Sequence, residues 1–280
     1  MVQAQIGRRE VLSILKDVGG VCAKRISVYM VGGGAMALRG EKDATRDIDL
    51  ILESQDEADE VKRSFEQLGF EVNARHPAEC RSMVDADILS KPTGLRADIF
   101  VGKVCNMLRF SEGMKNRATL VDELGNIVLY ICSREDIFLL KSVTERTRDL
   151  DDMLALFRRG LSRDAILDEC ERQTALSGLR RSHVWEAFLV VKIEEMESRY
   201  GVKVPWKRSL KAKAEVKMGA QHALAVIDKG VDTASKLAKE MDESPAFVGK
   251  CLRYLEETGE VKIDRLSKLH RIMPSGASRA

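Results

Sequence analysis

The sequence predicts an α+β protein: a mixed sheet flanked by helices in the N-terminal half, a helical middle segment, and a small C-terminal domain of helices and a hairpin. Three observations lead there. Up to Ile131, short β-branched runs alternate with amphipathic helical patterns. From Asp136 to about Tyr200 the apolar spacing is helical, with breaks near Gly160 and at Ser177-Gly178. After the stretch Gly201 to Trp206, which contains Pro205 and reads as a linker, helix starts and stops recur at short intervals. The implied organisation is a core over 1–135, a helical segment over 136–206 and a terminal domain over 207–280.

Taken in order, residues 8–24 place Val11, Leu12, Leu15 and Val18 at helical spacing. Ile26 to Val31 is β-branched and aromatic, hence a strand. Three glycines follow and lead into a short helical start, Ala35 to Leu38. Asp47 to Glu53 mixes acidic residues with Ile and Leu and reads as a strand; Asp56 to Leu68 is an amphipathic helix stopped by Gly69, and Phe70 to Asn73 is a short strand. Ala86 to Leu89 and Leu95 to Val101 are strands joined by a Pro92-Thr93-Gly94 turn. Ala118 to Val121 and Ile127 to Ile131 bracket Glu123 to Asn126 as a hairpin, and Ser133 to Asp136 is a capping box opening the helical segment. In the terminal domain, Ala220 to Asp228, Thr233 to Met241 and Phe247 to Glu257 are helices, the last capped by Ser244 with Pro245 in its first turn. Val261 to Ile263 and Leu269 to Met273 form a closing hairpin, so three helices and a hairpin describe a winged helix.

Composition excludes several classes. With 44% hydrophobic and 32% charged residues the chain can build real cores, yet no apolar run approaches the roughly 20 residues that cross a bilayer. Met1 to Glu10 is polar and mixed in charge, unlike a signal peptide, so a cytoplasmic location without membrane contact is expected. The six cysteines form no Cys-x-x-Cys pair and no Cys/His cluster, which argues against a zinc ribbon and for small core residues in a reducing compartment. His76, His183, His222 and His270 are scattered and lack a metal-ligand pattern. The net charge is only +2, but Lys207 to Ala280 holds 15 basic and 10 acidic residues, a local surplus that points toward nucleic acid.

The chemistry concentrates at two places. Asp47 and Asp49 are two apart on a strand, so both carboxylates face the same way. Like charges held that close repel unless a cation lies between them, and a hard divalent ion such as Mg²⁺, or Mn²⁺ in its place, meets that need. Asp98, on a later strand, is a third carboxylate that adjacent pairing would bring to the same site; it is preferred over Asp85 and Asp87 because Arg-Ala-Asp-Ile-Phe-Val is the better strand. The second place is Gly32-Gly33, at a strand-to-helix junction where bare backbone lets phosphate oxygens approach N–H groups. A dinucleotide fingerprint is the rival reading, since Gly32, Gly34 and Ala37 fit its looser form. The helix before Gly40 has room for only about five residues, too short for the crossover of a βαβ unit.

The run Val31-Gly32-Gly33, then Asp47-Ile48-Asp49-Leu50, resembles the signature of the DNA polymerase beta-like nucleotidyltransferase superfamily. The longer form, Gly32-Gly33-Gly34-Ala35 through Thr45-Arg46-Asp47, is most similar to a small prokaryotic branch that includes toxin-type nucleotidyltransferases of abortive-infection systems. The resemblance covers roughly residues 25–160. It implies a nucleotidyltransferase core in which Asp47, Asp49 and Asp98 bind metal, Asp98 also activates the attacking hydroxyl, and Gly32 and Gly33 hold the nucleotide phosphates. It also implies a triphosphate contact for Lys141, in Glu135 to Lys141, with Arg148-Asp149 and Asp152 as the charged continuation of that helix. Gly33 departs from relatives that carry Ser there, which removes a hydroxyl contact to phosphate.

The function expected is transfer of a nucleoside monophosphate from an NTP to a hydroxyl acceptor, RNA such as a tRNA end first and protein second. The runner-up is a winged-helix DNA-binding regulator whose nucleotidyltransferase fold senses a nucleotide without turning it over; an antitoxin-like protein partner is a further expectation. Lys250, Arg253, Arg265 and Lys268 are the candidate nucleic-acid contacts of the winged helix. Strand alternation points Arg46 away from the carboxylates, and Thr45 is a local hydrogen-bonding residue that positions the strand. The run Lys207, Arg208, Lys211, Lys213 and Lys217 reads either as a solvated face or as an electrostatic footprint on RNA or DNA. Trp185 is expected in a core.

Overall fold

A computed structural model of the chain describes residues 5–73, 86–104, 107–144, 146–264 and 271–274. Two compact units divide it: residues 1–173 with 198–201, and 174–197 with 202–280. The first unit holds a seven-stranded mixed sheet. Its elements begin with α1 (Arg8–Val21), β1 (Ile26–Val31), α2 (Gly32–Leu38), β2 (Asp47–Leu52), α3 (Gln55–Gln67), β3 (Glu71–Val72), β4 (Ala86–Ser90) and β5 (Arg96–Val101). A small ribbon, β6 (Lys103–Val104) and β7 (Leu108–Arg109), then leads to α4 (Glu112–Arg117), β8 (Thr119–Leu124), β9 (Ile127–Ile131), α5 (Arg134–Ser142) and α6 (Arg148–Arg158).

The strands lie in the order β3-β4-β5-β2-β1-β9-β8. The central ones decide the site: β2 runs antiparallel to β1 and parallel to β5, while β1 runs parallel to β9. Their apolar residues are why they are central, since Val28, Met30, Ile48, Leu50, Ile51, Leu52, Ala97 and Leu129 are essentially inaccessible to solvent. Buried on both faces, such strands carry the near-continuous aliphatic runs read in the sequence. Helices α1 and α3 pack on each other and on the sheet, and α5 packs on α2 and α6. Because β1 and β2 are antiparallel neighbours joined through a seven-residue helix, there is no βαβ crossover at the glycines and the dinucleotide rival fails.

Several boundaries differ from expectation. The β8–β9 hairpin is tighter, with β8 running to Leu124 and the turn reduced to Gly125-Asn126. Helix α4 and the β6–β7 ribbon carry no periodicity long enough to be read beforehand. The helical segment breaks a third time, between Ser142 and Arg148, with neither Gly nor Pro to signal it. There the Ser142 hydroxyl donates to Leu139 O and Thr144 Oγ1 to Lys141 O, so polar side chains compete with the helical ladder and the chain turns. The four cysteines among the described residues, Cys22, Cys132, Cys170 and Cys251, are free thiols in buried positions.

The second unit is mainly helical. After α7 (Arg163–Ser177) and α8 (Trp185–Tyr200), which bridge the division of the chain, come α9 (Lys207–Ile227), α10 (Ala234–Met241) and α11 (Pro245–Glu257), then an antiparallel pair, β10 (Val261–Asp264) and β11 (Arg271–Pro274). Helix α9 is far longer than its apolar run Ala220 to Ile227 indicated. Leu224, Leu237, Val248, Leu252, Leu255, Val261 and Ile272 form the core of this unit. Gly219 lets α9 approach α11, since a Cβ there would sit 2.7 Å from Cys251 Sγ. Ser244 caps α11 by accepting from Phe247 N at 3.2 Å, with Pro245 at its first position, as the sequence indicated. Trp185 is buried as expected. Lys217 is buried too, against Glu186, and so belongs to neither the solvated face nor the nucleic-acid footprint read from the run Lys207 to Lys217. Arg265 and Lys268, and the residue Leu269 that was to open the second hairpin strand, lie outside the described residues.

Candidate active site

On β2 the burial alternates, with Asp47 and Asp49 half-buried and Ile48 and Leu50 inaccessible. The β2–β5 register pairs Asp47 with Arg96 and Asp49 with Asp98. Parallel in-register strands put paired side chains on the same face, so these four groups form a square: two carboxylates on β2, one carboxylate and one guanidinium on β5. Asp98, selected in the sequence, therefore adjoins Asp49. Its rival Asp87 lies on β4 opposite Ile99 and is ion-paired with Lys62 at 2.9 Å; Asp85 is outside the described residues.

Arg96 was missed, although its i−2 spacing from Asp98 on a strand was the available signal. Its Nε donates to Asp98 Oδ1 at 2.6 Å, and Nη2 donates to Oδ2. It also approaches Asp47 Oδ1 at 3.9 Å, while Arg148, from the first turn of α6, comes within 3.5 Å of Asp47 Oδ2. Asp49 has no hydrogen bond or ion pair to its carboxylate among the described residues. Burial, then the charges of Asp98 and Asp47, push its carboxyl from 3.8 to about 7 against the pull of Arg146 and Arg96. Burial works against the charge of Arg96 as well, but Asp98, Asp47 and Asp49 together hold the guanidinium firmly protonated.

Gly32 closes the other wall. It has φ +62°, a left-handed conformation that glycine adopts freely, and a Cβ there would fall 2.2 Å from Asp49 Oδ2. Gly32→Ala is therefore expected to displace the Asp49 carboxylate and to destabilise the fold by about 1–2 kcal/mol from backbone strain; a thermal melt together with a transfer assay checks both effects. At Gly33 a Cβ would meet Thr45 Oγ1 at 2.8 Å. That hydroxyl donates to Asp47 O at 2.9 Å, the local positioning role expected of Thr45.

Lys141 is buried at the end of α5 and donates to Asp149 Oδ1 at 2.9 Å and Asp152 Oδ2 at 2.6 Å, both on α6. The α5–α6 break folds these acids back over the lysine, rather than continuing its helix. Burial opposes the charge of Asp149, but Lys141, Arg146 and the Thr144 hydroxyl outweigh it and hold the carboxyl down to about 2. Asp152 also takes Lys42, at 2.8 Å, from the loop between α2 and β2. Lys42 and Arg146 sit on loops without periodic pattern, so only their charge marks them in the sequence.

These groups enclose a cavity of about 280 Å³, lined by Gly32, Gly33, Lys42, Thr45, Arg46, Asp47, Asp49, Lys141, Arg146, Arg148, Asp149 and Asp152. Arg46, expected to point away from the carboxylates, is among the residues that line it. A second recess of about 40 Å³ shares Gly32, Asp49, Lys141 and Arg146 and adds Thr144 with the apolar Val31, Phe100, Val104, Ile137 and Leu140. Asp47 and Asp49 offer hard oxygen donors beside bare glycine backbone, a set that fits one small divalent cation. Both Asp98 oxygens are bonded to Arg96, so a cation there would share them with a guanidinium. Among the described residues no group of three His, Cys, Asp or Glu side chains is disposed to hold a metal.

The class of protein defined by this sheet, with paired carboxylates on a central strand and a glycine turn beside them, is the nucleotidyltransferases. The chain belongs to the family described as "Nucleotidyltransferase of unknown function (DUF6036)", whose model matches residues 14–157, from within α1 to the penultimate residue of α6. A crystal structure of a nucleotidyltransferase candidate from Thermotoga maritima is similar over 57% of this chain and 99% of its own, at 15% identity and a TM-score of 0.38. No curated protein matches the chain. Among the described residues no helix is long and apolar enough to cross a membrane.

Proposed function

We propose that this chain is a Mg²⁺- or Mn²⁺-dependent nucleotidyltransferase that moves a nucleoside monophosphate from an NTP to a hydroxyl acceptor and releases pyrophosphate. The observation supporting this is a cavity that brings paired carboxylates and basic groups together. Asp47 and Asp49 line it as candidate cation ligands, and Lys42, Lys141, Arg146 and Arg148 bring positive charge to the same lining. A divalent cation held by Asp47 and Asp49 would neutralise charge on the phosphates during in-line displacement. Gly32 and Gly33 keep side chains out of the space where phosphate oxygens approach. Lys141 has three donors, two of which are spent on Asp149 and Asp152, leaving one for the triphosphate. Lys42 spends one on Asp152 and leaves two. A charge-assisted hydrogen bond contributes about 1.5–3 kcal/mol, so Lys42→Ala is expected to raise the KM for NTP by roughly 10- to 100-fold with a smaller effect on kcat; steady-state kinetics over NTP concentration reads this.

For the acceptor, RNA is proposed first and a protein hydroxyl second. The second unit favours nucleic acid because α11 exposes Lys250 and Arg253, with Lys262 and Arg271 exposed on the β10–β11 pair. Three helices and a two-stranded pair are consistent with a winged helix presenting that surface. Incubation with labelled NTPs, Mg²⁺ and total RNA or cell protein tests the reading. Label is expected on RNA with wild type and absent with Asp47→Ala. No transfer by a folded wild type, or equal transfer by the variant, overturns it; salt-dependent duplex binding without turnover of any NTP would instead support a nucleotide-sensing DNA-binding regulator.

A further inference from the structure

We infer that this site takes one divalent cation, at Asp47 and Asp49, and that the Arg96 guanidinium occupies the place where a second cation would neutralise Asp98. The inference rests on the nucleotidyltransferase reading only for the chemistry the cation serves. The geometry comes from the strand pairing: Arg96 and Asp98 are two apart on β5, so they face the same way, and the parallel register sets them beside Asp47 and Asp49. The fork is bidentate, with Nε at 2.6 Å from Oδ1 and Nη2 on Oδ2, and the Asp98 side chain is completely buried around it.

A guanidinium is planar, always charged and has no lone pair to lend a metal. Its two parallel bonds direct both Asp98 oxygens toward Arg96, away from the open side of the square where Asp47 and Asp49 face the cavity. A divalent ion at Asp98 would lie against this fixed positive charge, in surroundings where water screens little. Arg96 cannot yield its place cheaply, because its own side chain is 15% exposed and leaving Asp98 would strand a fully buried carboxylate. Asp49 is the opposite case. It is the carboxylate of the square without a bonded donor among the described residues, and Asp47 is approached by arginines only at 3.5 and 3.9 Å. The square therefore contains one cation already, built into the strand, and room for one more. In this arrangement Asp98 is a positioning residue for Arg96, a different task from the metal binding and hydroxyl activation that the sequence resemblance implies.

The test is Mn²⁺ stoichiometry on the full chain without nucleotide, by equilibrium dialysis with electron paramagnetic resonance detection. Wild type is expected to bind one Mn²⁺, and Asp49→Asn to bind none. Asp98→Asn is expected to keep one, because Asp98 gives the ion no ligand. Arg96→Met should admit a second Mn²⁺, seen as a spin-coupled pair, and Arg96→Met with Asp98→Asn should return to one. Two ions or none on wild type, loss of the ion in Asp98→Asn, or a single ion on a folded Arg96→Met overturns the inference. If Arg96→Met does not fold, the wild-type and Asp98→Asn counts decide. Because no turnover is needed, a chain that binds one ion yet transfers no nucleotide defeats only the proposed function, and a chain that transfers nucleotide but binds two ions defeats only this inference.

Discussion

Asp49→Asn is expected to abolish nucleotidyl transfer while making the cation-free protein more stable above pH 7. The loss follows from position, since Asp49 faces the glycine turn and the cavity together. Removing one electrostatic stabiliser of a transition state lowers rates by roughly 10²- to 10³-fold, and a metal ligand is expected to exceed that. The gain follows from burial. Asp49 has its carboxyl raised from 3.8 to about 7 by desolvation and by its Asp98 and Asp47 neighbours. Between those values the folded chain keeps a proton there that the unfolded chain has lost, so stability falls as pH rises through that window and the penalty is complete above it. A rise from 3.8 to about 7 corresponds to an upper figure on the order of 4 kcal/mol. Asn, neutral at every pH, removes the dependence. Thermal melts of wild type and variant with chelator at pH 5 and pH 8 check this. A smaller gap at pH 5, which lies inside the window, and the full gap at pH 8 are expected; a variant less stable than wild type at pH 8 contradicts the account. Saturating Mn²⁺ should narrow the gap by stabilising the wild type alone.

Lys217→Met is expected to destabilise the second unit by about 3–5 kcal/mol, the usual consequence of stranding one partner of a buried ion pair. Lys217 on α9 is 1% exposed and meets Glu186 on α8, itself 0% exposed, at 2.6 Å. Its ammonium also donates to Thr174 Oγ1 at 3.2 Å. Among the described residues both Glu186 oxygens are buried without a hydrogen-bond partner beyond that ionic contact. Met fills the volume of the lysine stem but leaves the carboxylate buried and uncompensated. Lys217→Met combined with Glu186→Leu should recover most of the loss, because replacing both charges by apolar groups of similar size is often neutral or better. Urea unfolding followed by tryptophan fluorescence measures both variants. A single variant within 1 kcal/mol of wild type would show that the pair contributes little to this unit.

Legibility of the site in the sequence followed the range of the interactions. Asp47 and Asp49 share a face because strand side chains alternate, a rule that needs two residues of context. The glycine turn and the Ser133 and Ser244 caps are equally local. Arg96 was within reach of the same alternation rule, yet its significance lay in being opposite Asp47, and that depends on which strand lies beside β2. Lys42 and Arg146 belong to loops whose paths are set by what they pack on, so no periodicity marks them. Lys217 looked like one of five surface cations because a helix facing an unseen partner cannot disclose which lysine is covered.

By itself the sequence determined the α+β class, most element types, the carboxylate pair beside Gly32-Gly33 and the kinship that goes with them, because these depend on backbone sterics and on spacing within single elements. Only the tertiary structure decided the strand order, the Asp49–Asp98 adjacency, the double hold of Asp149 and Asp152 on Lys141, and the use of Arg96 as a resident counter-ion. The physical reason is the same in each case: a charge buried in a low-dielectric interior is controlled by whichever group stands within a few ångströms of it, and strand register and helix packing, not distance along the chain, choose that group.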